Sequence, residues 1–325
     1  MKKIIVLMST YNGKKYLQTQ IESILNQDGV NIDFCLKLLI RDDKSTDGTL
    51  EMISRYPTVE VLNNDDSNLG VKRSFFEILS KAEKADLYFF SDQDDIWPKN
   101  KVQRFLQHYE NKNIDEKIPI GLFSDLWISD AMGRSTEVKM SDKYDWKSKA
   151  DYKFFAWNYR VTGAAFAINF AAKKISDSIP LEWQSQINMH DSFIALLISV
   201  VGDLVQIDEP LLYYRQHGNN LVGASNKSKS LKYRVKNLFT IAEAMLNDNM
   251  KVYQWLISNQ EKYNILLIKY KYFENIYAMK NATNIVTRYK IWKSIKKDIT
   301  LFKIRVAIFR ELMFVGKNTM AKEKQ

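Results

Sequence analysis

The sequence predicts an α/β protein in which a mostly parallel sheet is flanked by helices and is followed by a helical extension. Two observations predict the sheet. Over the first ~120 residues, short β-rich runs alternate with amphipathic stretches at helical spacing, and polar loops follow the runs. A third observation predicts the extension, because proline is absent beyond residue 225 and the segment is rich in Lys, Tyr, Ile and Leu.

Short apolar runs mark the strands of the first part, and stretches with one apolar face mark its helices. Asp47 is placed to cap the second of these helices. The predicted strands are residues 4–8, 34–40, 59–63 and 86–90, and the predicted helices are residues 14–26, 49–55 and 71–82.

The middle of the chain is less regular. Residues 120–127 and 161–168 are predicted as strands, and residues 192–201 as a buried helix. We therefore predict one domain over residues 1–225 and a separate helical region over residues 226–325.

Cysteine usage indicates the compartment. Cys35 is the single cysteine, so the chain can form no internal disulfide and no cysteine-based zinc site, and a reducing compartment is expected. Cys35 lies in an apolar run and is expected to be buried. No window holds the ~20 apolar residues of a membrane-spanning helix, and the apolar run at 4–8 is too short for a secretory leader. A cytoplasmic protein is expected.

The net charge of +10 is concentrated in the tail. Residues 227–325 carry 21 Lys and Arg against 7 Asp and Glu, whereas residues 1–226 carry 27 against 31. Lysine-rich helices usually present a solvated face, and interleaved aromatic residues also fit nucleic acid. The stretch 299–315 is more typical of a helix lying on an anionic membrane. Its apolar residues include Phe302, Ile308, Phe309 and Phe314.

Three polar loops, at residues 9–13, 41–48 and 91–95, each follow a predicted strand. The carboxyl ends of parallel strands form one edge of a sheet, where ligands bind. Residues 9–13 offer the flat ring of Tyr11 for a base, and residues 41–48 offer carboxylates that accept from a pyrimidine N3–H or a ribose hydroxyl. Each loop alone is better explained as a structural turn, but the three together at the strand ends of one sheet favour a nucleotide site.

The loop SDQDD at 91–95 carries three carboxylates within four positions. Such residues are common in turns, but carboxylates this close repel one another unless a cation or hydrogen bonds offset the repulsion. In an extended tip, Asp92 and Asp94 would reach one metal together, and hard oxygen ligands suit Mg²⁺ or Mn²⁺. That ion would bridge the diphosphate of a nucleotide-sugar and neutralise the leaving group.

These motifs resemble those of the inverting glycosyltransferase family 2, which has the GT-A fold. The resemblance lies in STYNG at 9–13, DDKSTDGT at 42–49, NLG at 68–70 and DQDD at 92–95, and it spans roughly residues 1–225. Within the family, FFSDQDDIW at 89–97 and YYRQHGNN at 213–220 are most similar to bacterial rhamnosyltransferases that build cell-surface polysaccharides. The resemblance implies a nucleotide-binding part over about 1–120 and an acceptor part over about 120–225.

The resemblance also implies roles for individual residues. Thr10, Tyr11, Asn68 and either Asp42 or Asp43 would hold the nucleoside. Asp92 would meet the ribose or the donor sugar, and Asp94 would ligate the metal. Many relatives place an arginine where this chain has Phe75, so whether Lys72 or Arg73 makes the diphosphate contact stays open.

Direct displacement with inversion needs a base for the acceptor hydroxyl, and Asp191 is the candidate. Its position before an apolar helix is equally that of a cap or first-turn residue, and the resemblance favours the base. His190 adjoins Asp191 and would orient it or touch the acceptor. His217 is a second possible metal ligand, with a surface or hydrogen-bonded histidine as the alternative. Residues 162–165 resemble the small-residue segment that lines the sugar pocket, with a tightly packed strand as the alternative.

The resulting hypothesis is a metal-dependent transferase that moves L-rhamnose from dTDP-rhamnose onto a lipid-linked or polysaccharide acceptor at the inner face of the cell membrane. A UDP-sugar is the alternative donor. A nucleotide-sugar hydrolase or nucleotidyltransferase would use the same metal site but would need no such acceptor. A non-catalytic nucleic-acid-binding protein is disfavoured by the acidic balance of residues 1–226, and no P-loop or dinucleotide motif occurs. The sequence leaves the oligomeric state open.

Overall fold

The structure, a computed structural model, describes residues 1–62, 67–112, 115–143, 146, 150–217 and 231–315. Gly218, Asn219 and Asn220, the side chain of Phe314 and residues 316–325, all named in the sequence analysis, lie outside the described part. The chain forms two compact units. The α/β unit comprises Met1–Lys149, Val161–Ile198 and Gly202–Ala224, and the helical unit comprises Ala150–Arg160, Ser199–Val201 and Ser225–Gln325.

The α/β unit is built on one mixed, mostly parallel sheet with the strand order β3-β2-β1-β4-β7-β5-β6, and β8 pairs with β5. Strands β1 to β4 are parallel, β7 runs antiparallel to β4 and β5, and β8 runs parallel to β5. The strands are β1 Lys2–Thr10, β2 Phe34–Asp42, β3 Glu60–Val61, β4 Leu87–Ser91, β5 Ile120–Ser129, β6 Ser135–Lys139, β7 Phe166–Asn169 and β8 Asp203–Arg215.

Helices cover the sheet, so its central strands are apolar on both faces. Residues 4–8 of β1 are fully buried, as expected for a parallel strand between two helical layers. The helices of this unit are α1 Lys14–Leu25, α2 Thr49–Ile53, α3 Gly70–Lys81, α4 Lys101–Glu110, α6 Phe170–Asp177, α7 Leu181–Gln186 and the greater part of α8 His190–Val201. The predicted fold class is confirmed.

Two local predictions are wrong. The predicted strand at 161–168 begins only at Phe166, because Gly163–Ala165 forms a 3₁₀ turn whose backbone groups bond to side chains from other elements. Cys35 was expected to be buried and is exposed, because it lies near the start of β2, beside Met1, and its side chain points to the face opposite that of the buried Phe34.

The helical unit contains α5 Tyr152–Ala156, α9 Leu231–Tyr263, α10 Leu267–Asn281, α11 Ile285–Ile295 and α12 Phe302–Arg310, which continues into a π-helical turn at Glu311–Val315. Its interior is aromatic and aliphatic, with Trp255, Phe273 and Ile308 buried. The Trp157 indole N–H donates to the Tyr272 hydroxyl at 2.8 Å. The predicted helical extension is confirmed. Across the described residues, every helix is too short or too polar to cross a bilayer.

Candidate active site

Three neighbouring strands bring the polar loops to one edge of the sheet. Thr10 pairs with Asp42 across β1 and β2, and Met8 pairs with Ser91 across β1 and β4. The strands are parallel, so their carboxyl ends, and the loops that follow them, lie side by side. This edge holds Thr10, Tyr11, Asp42, Asp43, Asp92 and Asp94.

The ends of β1 and β2 are joined by side-chain hydrogen bonds. The Thr10 hydroxyl donates to Asp42 Oδ1 at 2.8 Å, and Ser45 donates to the same carboxylate through its backbone N–H and its hydroxyl, at 2.8 and 2.6 Å. Thr10 and Asp42 are buried, whereas the Tyr11 side chain is 52 % exposed at the edge. A solvent-facing ring beside a fixed carboxylate can stack on a base.

Asp43 organises the next loop. Its buried carboxylate accepts from the Arg41 guanidinium and from the backbone N–H groups of Leu69 and Gly70, at 2.7 and 2.8 Å for the last two. The Asn68 amide donates to the Asp43 carbonyl at 2.9 Å. Asp43 therefore fixes the start of α3 with its side chain and the exposed Asn68 with its backbone carbonyl.

Gln93 clamps the loop after β1, a role that sequence reasoning missed. Its side-chain oxygen accepts from the Tyr11 N–H at 2.8 Å, and its amide donates to the Tyr11 carbonyl at 3.0 Å. A Cβ at Gly13 would lie 2.1 Å from the Gln93 oxygen, so any larger residue at this position would push the Gln93 side chain out of the clamp. In the sequence, Gln93 is merely the residue between two carboxylates, and a long-range clamp leaves no local signal.

The acidic tip after β4 meets the end of β8. His217 Nε2 lies 2.7 Å from Asp94 Oδ2, and the Arg215 guanidinium donates to the Asp94 carbonyl at 2.6 Å. The Tyr16 ring stacks on the His217 imidazole with centroids 4.7 Å apart, and the Arg215 guanidinium also lies 4.7 Å from its centre. The predicted pair of possible metal ligands is thus brought together.

Negative charge accumulates at this tip. Burial raises the pKa of Asp92, and the charges of Asp94 and Asp191 raise it further. Burial also raises the pKa of Asp95 well above its ordinary value. Asp95 Oδ1 accepts from the Arg215 N–H at 3.0 Å, while its Oδ2 is buried with no partner in the part of the chain that the structure describes. Such a cluster favours a nearby cation.

Lys101 is a fully buried cation beside the tip, and sequence reasoning missed it. Its ammonium donates to the Ala164 carbonyl at 2.7 Å and lies 4.0 Å from the centre of the Trp97 ring. Burial lowers the pKa of Lys101 to about 7, against the charges of Asp95 and Asp92, which raise it. A signal was present, because Lys101 occupies the apolar face of α4 with Phe105 and Tyr109 at four-residue spacing.

Asp191 lies in the first turn of α8 and is buried. Its Oδ2 accepts from the Gly163 N–H at 2.6 Å, and its Oδ1 accepts from the Ser192 N–H at 2.6 Å. A Cβ at Gly163 would lie 3.1 Å from Asp191 Oδ2, so the glycine leaves room for the carboxylate. Because the charge of Asp191 acts on Asp92, the head of α8 and the acidic tip share one region.

The two basic residues at the start of α3 differ in their partners. The Lys72 ammonium donates to the carbonyls of Ser185 and Ile187 at 2.7 and 2.8 Å and so ties α3 to the loop before α8. The Arg73 guanidinium has no hydrogen-bond or ion-pair partner among the residues that the structure describes. Arg73 is therefore the one of the two whose cation is available to an anionic ligand.

The residues of the tip fit a divalent cation that is shared with a ligand. No group of three or more His, Cys, Asp or Glu side chains in the described ranges is arranged to hold an ion by itself. Asp94 and His217 nevertheless supply an oxygen and a nitrogen that converge. Mg²⁺ and similar ions need only one or two protein carboxylates when phosphate oxygens and water complete the coordination.

Comparisons with known proteins identify related chains. Residues 5–119 match the family described as glycosyl transferase family 2. The chain is 30% identical over 240 residues, or 70% of its length, to a dTDP-rhamnosyl transferase, RfbG of Shigella flexneri, and covers 77% of that protein. It is 32% identical over 120 residues to the poly(ribitol-phosphate) beta-N-acetylglucosaminyltransferase TarP of Staphylococcus aureus, which is 35% of each chain.

Solved structures share the fold. The S. aureus TarS fragment 1–349 in complex with UDP-GlcNAc superposes with a TM-score of 0.54 at 16% identity, covering 95% of this chain and 91% of that one. The mannosyltransferase PcManGT of Pyrobaculum calidifontis, in complex with GDP-Man and Mn²⁺, gives 0.52 at 14% identity, covering 97% and 88%. The fold is that of the GT-A glycosyltransferases. The chain belongs to glycosyl transferase family 2.

Proposed function

We propose that this glycosyltransferase moves a sugar from a nucleotide-sugar to a glycan acceptor, with inversion at the anomeric carbon and with Mn²⁺ or Mg²⁺ as cofactor. One observation carries the proposal. The pair Asp94 and His217 lies at the sheet edge that also holds the Thr10–Asp42 pair, and the charge of Asp191 reaches that edge. These positions support a nucleoside site, a cation site and a general base that lie next to one another.

The donor has its nucleoside on the loops after β1 and β2. Tyr11 stacks on the base, and Thr10, Asp42, Asp43 and Asn68 shape the pocket and supply its polar contacts. Asp92 meets the ribose or the transferred sugar. The similarity to a dTDP-rhamnosyl transferase supports dTDP-rhamnose as the donor, and a UDP-sugar is the alternative. Arg73, rather than the engaged Lys72, contacts the diphosphate.

Asp191 acts as the general base. An acceptor hydroxyl oxygen attacks the anomeric carbon, the bond from that carbon to the diphosphate oxygen breaks, and the hydroxyl proton passes to the Asp191 carboxylate. Two backbone N–H groups hold this carboxylate in place before reaction. Asp94 and His217 would hold a divalent cation, which would supply Lewis-acid stabilisation of the leaving diphosphate.

Ligand-induced thermal stabilisation tests the donor assignment. The protein is mixed with dTDP-rhamnose or with UDP-, GDP- and dTDP-linked sugars, with Mn²⁺, Mg²⁺ or EDTA. A metal-dependent rise in melting temperature with dTDP-rhamnose alone supports the first donor, and a rise confined to UDP-sugars supports the alternative. Acceptor-independent release of the nucleotide would instead indicate a hydrolase.

We assign catalysis to residues 1–225 and propose that residues 226–325 hold the enzyme on the inner face of the cell membrane, where a lipid-linked acceptor is found. Only some of the apolar side chains of α12 are exposed enough to contact a membrane. Ile304 and Ile308 pack inside the helical unit, and the Phe309 ring lies 5.4 Å from that of Trp292. The apolar side chains of α12 that remain exposed are Phe302 at 72 % and Val306 at 49 %.

A vesicle assay tests this attachment without deleting core residues. Phe302→Ser combined with Val306→Ser should reduce co-sedimentation with phosphatidylglycerol vesicles, because apolar burial and the basic tail act together. The control is Ile285→Ser with Val286→Ser, two side chains that are each 56 % exposed. Arg288, in the same turn, donates to the Leu312 carbonyl, so the control lies near the opposite end of α12. Equal losses in both variants would contradict a specific α12 contact.

A further inference from the structure

His190, the first residue of α8, is a buried histidine whose polar atoms are unused. Its side chain is almost wholly enclosed, and the residue is 2 % exposed. Neither Nδ1 nor Nε2 has a hydrogen-bond partner in the described part of the protein. The large majority of buried side-chain polar atoms in proteins are hydrogen-bonded, so two unpaired nitrogens on one ring need an explanation.

Aromatic rings surround the imidazole on several sides. The Phe75 ring stacks on it with centroids 4.2 Å apart and planes 20° apart, and the rings of Phe90 and Phe76 lie at 5.4 and 6.5 Å. Burial lowers the pKa of His190, so the ring is neutral at pH 7. A neutral imidazole offers one N–H donor and one acceptor nitrogen.

The imidazole edge lies beside the proposed base. A Cβ built on Gly163 would be 3.4 Å from His190 Nε2 and 3.1 Å from Asp191 Oδ2. The two side-chain atoms therefore face the same backbone position, which a glycine keeps open. The ring also packs against Phe90, the residue two before Asp92 in β4.

Packing alone does not explain this residue. A phenylalanine would stack on Phe75 equally well and would carry no unpaired N–H, which costs folding free energy when it is buried. The position thus retains a donor and an acceptor at a cost to the free protein. A group that binds at the site and offers both an acceptor and a donor would offset that cost.

We propose that His190 hydrogen-bonds a hydroxyl group of the sugar that is transferred and so determines which sugar is accepted. The assignment rests on the proposed function. In that reaction the sugar lies between the diphosphate, near Asp94, and the base Asp191. His190 is next to Asp191 in α8 and packs against Phe90 of β4, so it borders the end of the sugar nearer the base. A hydroxyl both donates and accepts, as a neutral imidazole does, whereas a phosphate oxygen only accepts and favours a cation.

The first test separates this contact from a structural role. His190→Phe keeps the ring stack and removes both nitrogens. We expect a melting temperature equal to or above that of the wild type, and affinities for free dTDP and UDP within about twofold. We expect kcat/KM for the full nucleotide-sugar to fall about tenfold or more, because one hydrogen bond to the sugar is lost. Two further variants each place an amide near one of the ring nitrogens: His190→Gln near Nε2 and His190→Asn near Nδ1. One of them should restore part of the rate that His190→Phe loses.

The second test uses singly deoxygenated analogues of the accepted donor sugar in a double-mutant cycle. In the wild type, one analogue should lose about tenfold in kcat/KM relative to the parent sugar. In His190→Phe the same analogue should lose nothing further. If every analogue loses the same factor in both proteins, the contact is excluded; should His190→Phe fail to fold, His190→Gln and His190→Asn carry the same comparison.

Different results would overturn the proposed function and the inference about His190. If the wild type binds no nucleotide-sugar at all, the proposed function is wrong. If the wild type transfers sugar, and His190→Phe transfers it from the parent and from all deoxy donors with wild-type ratios, only the inference about His190 is overturned.

Discussion

His217 Nε2 lies 2.7 Å from Asp94 Oδ2, although 123 positions separate the two residues in the chain. The pairing depends on a bridge between the tip after β4 and the end of β8, in which Ile96 and Tyr213 exchange backbone hydrogen bonds at 3.2 and 2.9 Å. Arg215, two residues further on, then bonds to both Asp94 and Asp95. The Ile96–Tyr213 bridge and the Arg215 contacts thus bring His217 to the acidic tip.

The stack between Tyr16 and His217 predicts a first result. Tyr16→Leu should raise the Mn²⁺ concentration that gives half-maximal activity by about 10- to 100-fold, because residues that orient a metal ligand commonly contribute that much to affinity. Tyr16→Phe keeps the ring and should behave as the wild type. A metal titration of transfer rate decides the point, and equal curves for the leucine variant and the wild type would mean that the stack does not position His217.

A second prediction concerns the base. Asp191→Asn should retain donor binding and lose about 10²- to 10⁴-fold in kcat, the usual contribution of a positioned general base. Asp203→Asn, at an exposed carboxylate at the start of β8, is the control and should be fully active. Rapid-quench measurement of sugar transfer, paired with donor binding by calorimetry, separates the two effects. Full activity of Asp191→Asn would assign the base elsewhere.

The Gln93 clamp predicts a third result. Gly13→Ala places a methyl group 2.1 Å from the Gln93 oxygen, so it should displace the clamp and weaken nucleotide binding. Gln93→Ala should weaken it as well, because Tyr11 loses both of its bonds to the tip. The double variant should be no worse than Gly13→Ala alone, since both changes remove the same contact. Additive losses in nucleotide affinity would show that the two residues act separately.

Lys101 predicts a dependence of stability on pH. Its pKa is about 7 in the folded protein and 10.5 ordinarily, so between these values the unfolded chain binds more protons. The free energy of unfolding therefore gains a contribution that rises with pH above 7. Lys101→Met should flatten this rise between pH 7 and 9 in chemical denaturation. If both proteins show the same slope over that range, the buried ammonium is not perturbed as described.

Some of the site was predictable because its residues are close in sequence. The loops with Thr10, Asp42 and Asp92 follow apolar runs, and the parallel arrangement of those runs already implies a common edge. The fold class follows from the same alternation of strands and helices. No local pattern encodes Gln93 bonding to Tyr11, or Arg215 fastening the tip, because those contacts depend on tertiary structure.

For other features of the site, the spacing of apolar residues predicts only part of what the structure shows. Lys101 lies on the apolar face of α4, and this helical spacing by itself indicates a buried cation. The apolar run at 161–168 was predicted as a strand throughout, but Lys101 and Asp191 take the backbone groups of Ala164 and Gly163 and hold a turn there. Side-chain demands at a site can override the local preference of the chain.

The most direct test of the central claim measures nucleoside diphosphate released from a nucleotide-sugar in the presence of Mn²⁺ and a glycan acceptor. The account predicts release by the wild-type protein that requires the acceptor, stops with EDTA, and is abolished in a folded Asp94→Asn variant. Release that is unchanged in Asp94→Asn, or that proceeds equally without acceptor, would contradict a transferase built on this acidic tip.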